Sequence, residues 1–119
     1  MAYDNDNIFA KILRGEIPCD KVYEDDYALA FNDISPQAPT HILVIPKGLY
    51  ATQDAFNTQA SPDEVAGLWR AVSKVADEAG VTAGGYRTIT NTGPDGGQEV
   101  PHYHVHILGG KRIGRMVPG

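Results

Sequence analysis

Two periodicities, one helical and one extended, divide the chain into elements before any residue's chemistry is considered. Ile8, Phe9, Ile12 and Leu13 recur at helical spacing, with Asp6 placed to cap that helix and Gly15 and Pro18 to end it. Residues 21–25 and 28–32 are β-prone runs around Asp25-Asp26, which predicts a hairpin. Ser35-Pro36-Gln37-Ala38-Pro39 reads as a rigid loop, and the strand predicted over 41–45 stops at Pro46-Lys47-Gly48. Residues 52–57 have the pattern of a helical turn. Ser61-Pro62-Asp63-Glu64 is a strong helix start, with a cap, a proline in the first turn and a glutamate completing a capping box. The helix that follows is expected to bury Val65, Leu68, Trp69, Val72, Val75 and Ala76 and to stop at Gly80, Trp69 being assigned to the core by ordinary burial habits. Two further strands are predicted over 86–91 and 100–108. Short connections favour antiparallel pairing, hence an α+β fold: a sheet meander with a short N-terminal helix and one long helix packed on it.

Length and charge narrow the function. The 119 residues suit a single domain, and no repeat or linker interrupts them. The net charge of −5 argues against an electrostatic nucleic-acid footprint, although a single nucleotide needs only a few local donors. No apolar run approaches the roughly 20 residues that span a bilayer, so no membrane association is expected. The first residues are acidic and lack the layout of a signal peptide, and Cys19 stands alone, without a disulfide or cysteine-zinc partner. A cytoplasmic location is the economical expectation. Asp4, Asp6, Asp25 and Asp26 read as solvated surface.

The chemistry gathers in the last strand. His102, His104 and His106 occupy every second position, and in an extended chain they share one face while Tyr103, Val105 and Ile107 take the other. Three readings compete. A solvated face is one, although exposed strands favour Thr, Lys or Glu. A metal site is the second: His102 and His106 would lie about 13 Å apart at Cα, so two of the three could share an ion with His41 or a carboxylate. The third is nucleophilic attack on phosphorus by the middle imidazole, assisted by its neighbours. The glycine-rich run 91–99, just before the strand, offers backbone amides to a phosphate and suits this third reading. His41, opening a strand after a proline-fixed loop, is a credible partner.

Segment 96–110, Gly-Gly-Gln-Glu-Val-Pro-His-Tyr-His-Val-His-Ile-Leu-Gly-Gly, resembles the signature of the histidine triad (HIT) superfamily. Segment 31–47, Phe-Asn-Asp-Ile-Ser-Pro-Gln-Ala-Pro-Thr-His-Ile-Leu-Val-Ile-Pro-Lys, is similar to the second signature of its Hint branch. Ile8-Phe9-Ala10-Lys11-Ile12 and Ile17-Pro18 resemble the branch's N-terminal helix and exit, so the likeness runs from about residue 7 to 110 of a single domain spanning 1–119, with a tail over 111–119.

The resemblance implies a HIT-like sheet and a purine nucleoside phosphoramidase, with no cofactor and no metal. Under it His104 attacks the α-phosphorus of an adenosine or guanosine phosphoramidate or an acyl-adenylate, and the nucleotidyl-histidine is hydrolysed to AMP. His106 contacts the phosphate, while His102 and His41 orient and tune His104. Asp33 accepts from the ribose hydroxyls, and Asn91 and Gly97 help hold phosphate or sugar, with Asn32, Glu99 and Val100 beside them. Ile8, Phe9, Ile12, Phe31, Ile34 and Leu43 form the purine slot. A homodimer is implied, joined through the helix over 62–79 and the strand over 86–91, with Trp69 then partly buried between copies. The alternatives are a dinucleoside polyphosphate hydrolase and a nucleotide-binding regulatory module. Three departures stand out: Glu99 replaces a serine common in relatives, Pro101 replaces an aromatic, and the tail lacks a tryptophan some relatives carry.

Overall fold

The computed structural model describes residues 3–117. Helix α1 (Ile8–Leu13) is capped by Asn7 rather than Asp6, because the Asn7 side chain accepts from the Ala10 amide at 2.9 Å. Strands β1 (Lys21–Glu24) and β2 (Ala28–Asn32) form the expected hairpin. Its turn is closed by Asp25 Oδ1, which accepts from the amides of Tyr27 and Ala28 at 2.8 and 2.9 Å. Strand β3 (Thr40–Pro46) follows, then helices α2 (Gln53–Gln59) and α3 (Pro62–Glu78). The capping box that starts α3 is complete: Glu64 N–H donates to the Ser61 hydroxyl at 3.1 Å, and Ser61 N–H to the Glu64 carboxylate at 3.0 Å. Strand β4 (Arg87–Ile89), a single helical turn α4 (Gly93–Gly96) and strand β5 (Val105–Gly109) complete the chain.

The five strands are antiparallel, in the order β1-β2-β3-β5-β4. The meander therefore holds through β3. The chain then leaves for two helices, returns at the sheet edge as β4, and ends with β5 inserted between β3 and β4. Alternation buries both faces. Ala28, Ala30, Ile42, Val44, Val105 and Ile107 pack with Leu68, Val72 and Val75 of α3. Leu29, Phe31, Leu43 and Ile45 pack with Phe9 of α1.

Two expectations are corrected. The last strand starts at Val105, not at residue 100: Pro101 offers no amide, and His102 N–H turns back to the Val100 carbonyl at 2.8 Å. Trp69 is 40% exposed rather than core. The buried stripe of α3 is Leu68, Ala71, Val72, Val75 and Ala76, and Trp69 falls on its flank. Among the described residues no helix is long and apolar enough to cross a membrane.

Candidate active site

In the β3–β5 register, Leu43 faces His106 and His41 faces Leu108. His41 and His106, on adjacent strands, thus point from the same face as Phe9. His104 lies just before β5, yet the alternation persists through it: Tyr103 is buried in the core under α3, while His104 opens on the α1 side. A cavity of about 350 Å³ lies there. His41, His104 and His106 contribute to its wall, as do Phe9, Asp33, Leu43, Asn91, Gly97, Glu99 and Val100.

The hydrogen-bond network assigns the imidazole protons. Gln37 N–H donates to His41 Nδ1 at 3.0 Å, so neutral His41 carries its proton on Nε2. That nitrogen lies 2.9 Å from His106 Nδ1 and 3.5 Å from Asp33 Oδ2. His41 therefore donates to His106 Nδ1, which leaves the His106 proton on Nε2. His104 Nδ1 is 2.7 Å from the His102 carbonyl, an atom that only accepts. His104 is therefore protonated at Nδ1, and its lone pair sits on Nε2. His102, fully buried, places Nε2 2.9 Å from the Pro46 carbonyl and donates to it.

Desolvation dominates the electrostatics. It lowers His104's affinity for a proton, and the His102 carbonyl and the Asp33 and Glu99 carboxylates offset this only in part. Burial pushes His102 and His106 down to about 4, the His106 shift being reinforced by His104 and His41. His102, His104 and His106 are thus neutral at pH 7.

The donor atoms of Asp33, His41 and His106 lie within 4.8 Å of one another. Tetrahedral zinc, bonded to each imidazole at about 2.1 Å, would hold two of them roughly 3.4 Å apart. The 2.9 Å separation of His41 and His106 fits a shared proton instead.

Other expected residues lie away from the cavity wall. His102 sits behind it. Phe31 is buried against Phe9, with ring centroids 5.5 Å apart and edge to face. Ile12 lines a separate hollow with Leu13, Cys19 and Leu29. Asn32 turns to Asp20, donating at 2.9 Å. Ile8 and Ile34 are exposed, Ile34 almost completely. The Gly97 amide closes the α4 turn onto the Pro94 carbonyl at 3.1 Å, and Gln98 N–H closes onto Gly93 at 3.1 Å. The glycine run thus spends these two amides on itself, against the expectation that they face a phosphate. Ser35 and Gln37 line the cavity without having been expected. The signal available for Gln37 was its position four residues before His41 in a loop fixed by two prolines. Tyr3 also reaches the triad unexpectedly, and nothing in the sequence pattern marks it.

A small α+β protein whose last strand and its lead-in carry alternating neutral imidazoles into an acid- and amide-lined cleft has there its candidate active centre. The chain belongs to the HIT family, whose domain model matches residues 14–113. A purine nucleoside phosphoramidase of Escherichia coli (strain K12) is 49% identical over 113 residues, covering 94% of this chain and 93% of that protein. A histidine triad protein from Clostridium difficile superposes with a TM-score of 0.87 at 46% identity, over 98% of this chain and 100% of that one. A HIT family hydrolase from Legionella pneumophila gives 0.84 at 45% identity, over 90% and 95%. These likenesses bear out the family and fold read from the residues, and they support hydrolase activity.

Proposed function

We propose that the chain hydrolyses purine nucleoside phosphoramidates, and acyl-adenylates of the same geometry, through a nucleotidyl-His104 intermediate. One observation carries this reading: the His102 carbonyl, 2.7 Å from His104 Nδ1, leaves a neutral imidazole with its lone pair on Nε2 at a cavity wall. That lone pair attacks the α-phosphorus while the bond to the leaving group breaks: P–N in a phosphoramidate, whose departing amine takes a proton from solvent, and P–O in an acyl-adenylate, whose carboxylate leaves unprotonated. Water then attacks phosphorus, the N–P bond to His104 breaks, and AMP and a proton leave. His106, with its proton on Nε2, donates to a phosphate oxygen as charge develops there. His41 holds that tautomer, acting on His104 through His106 rather than directly. Asp33 accepts from the ribose hydroxyls, and Asn91 lies across the cleft.

Phe9 and Leu43, which line the cavity, offer the apolar surface for the purine, and exposed Ile8 and Ile34 belong to the same reading as residues next in sequence to Phe9 and Asp33. Phe31 and Ile12 act from below the slot, by packing. A homodimer belongs to the same reading, built from the exposed flank of α3 at Trp69 and the free edge of β4.

The test is incubation with adenosine 5′-phosphoramidate, acid-free trapping and peptide mapping. The expected adduct lies on His104, and His104→Ala should lose at least about 10³-fold in turnover while still binding AMP. An adduct on another residue would overturn the mechanism.

A further inference from the structure

We propose that Tyr3 is a positioning residue of this centre: its hydroxyl donates to His102 Nδ1 and holds His102 in the neutral Nε2–H form. That steadies the carbonyl on which the His104 tautomer depends. The kinetic part of this inference rests on the phosphoramidase reading, whereas the hydrogen bond itself does not.

The His102 ring is bound on both sides. Its Nε2 proton is committed to the Pro46 carbonyl, so Nδ1 bears a lone pair in a side chain with no exposure to water. A buried acceptor needs a donor. The Tyr3 hydroxyl is in contact with that nitrogen, and the two rings meet edge-on with centroids 5.7 Å apart. The direction of the bond is set from behind. Asn7 Nδ2 donates to the Tyr3 oxygen at 2.8 Å and to the Asp4 carbonyl at 2.7 Å, so the phenol proton turns toward His102. Asn7 is itself fixed, since its Oδ1 caps α1.

The consequence reaches His104 because residues 100–104 lie outside the sheet. In a paired strand the ladder would aim the His102 carbonyl. Here the Tyr103 N–H of the same peptide unit, donating to the Tyr50 carbonyl at 2.7 Å, the turn to Val100 and the two-sided grip on the His102 ring aim it together, and that carbonyl alone dictates which His104 nitrogen carries the lone pair. The N-terminal segment thus holds the triad at two points: Tyr3 on His102, and Phe9, whose ring edge meets His104 with centroids 5.0 Å apart.

Imidazole nitrogen NMR and steady-state kinetics of Tyr3→Phe test this together. Wild-type His102 is expected as a neutral Nε2–H ring with a hydrogen-bonded Nδ1. Losing a donor to the lone pair favours the cation, so in Tyr3→Phe the His102 protonation midpoint should rise and the acid limb of kcat should move to higher pH. Partners that orient metal-bound imidazoles are worth about 10- to 100-fold; on that scale kcat should fall about tenfold in Tyr3→Phe, with KM within about twofold. A purely packing role would move neither the resonances nor the acid limb. The inference is overturned if Tyr3→Phe keeps the wild-type His102 signals and pH profile. It is equally overturned, without any variant, if wild-type His102 proves to be the Nδ1–H form or a cation at neutral pH. Should the wild-type protein fail to cleave the phosphoramidate, the proposed reaction falls, and the His102 resonances still decide the role of Tyr3.

Discussion

An imidazole taken out of water without a carboxylate beside it holds its proton less tightly, and His102 is pushed down to about 4 by that desolvation. His106 follows, down to about 4, with the neighbouring imidazoles adding to burial. In the unfolded chain both return to about 6.5. Between these limits the unfolded state binds more protons than the folded one. Stability is therefore whole above about pH 6.5 and declines as pH falls toward about 4, His102 alone accounting for roughly 3 kcal/mol at the acid end. His106 contributes less than its shift suggests, because it borders the open cavity. Thermal melts from neutral to acid pH check this: Tm should already be falling before ordinary carboxylates titrate. An unchanged Tm down to about pH 4.5 would contradict it.

At the scale of elements, α3 shows a local preference losing to packing. Gly67 sits in mid-helix, where alanine would ordinarily gain about 1 kcal/mol. A Cβ there would lie 2.5 Å from the Tyr27 ring and 2.7 Å from Tyr27 Cβ. Overpacking of this kind costs about 1–3 kcal/mol, so Gly67→Ala should lower stability in a denaturant titration rather than raise it. Elements whose causes are local were readable in advance: the capping box of α3, the Asp25 turn, and the apolar run of β3. What escaped prediction depended on contacts from elsewhere in the chain. Residues 100–104 alternate like a strand but are held by Tyr50, whose carbonyl accepts from Tyr103 N–H at 2.7 Å, and by Gln98, which reaches the Ala51 carbonyl at 2.7 Å. Run 93–96 looked like an open glycine loop and coils into one turn, with Gly97 left-handed at φ 77° closing it.

For the whole molecule, the histidines and Asp33 could be read from their spacing and motif, but Tyr3 could not, because 99 residues separate it from His102 and no local pattern links them. Strand order was hidden for the same reason, since pairing between distant segments leaves no periodic trace. Assembly belongs to this scale too. Among the described residues the outer edge of β4 is unpaired, and Trp69 is 40% exposed beside other half-buried α3 residues, a combination that natural sheets usually cover. A dimer is expected by sedimentation or light scattering, and Trp69→Glu should shift it toward monomer. A wild-type monomer at micromolar concentration would refute the assembly.

The insertion of β5 between β3 and β4 also bears on how the protein is made. During synthesis β1 to β3 and helices α2 and α3 emerge before β5, and β4 has no neighbour in the sheet until residues 105–109 appear. The strand that supplies His106, with His104 immediately before it, is also the last stave of the sheet, and it pairs with β3 and β4 upstream. A chain cut short before residue 104 carries neither a closed core nor the imidazoles of His104 and His106. Completion of the sheet and assembly of the histidine cleft are thus one event, and a nascent chain lacks that cleft until its final strand is in place.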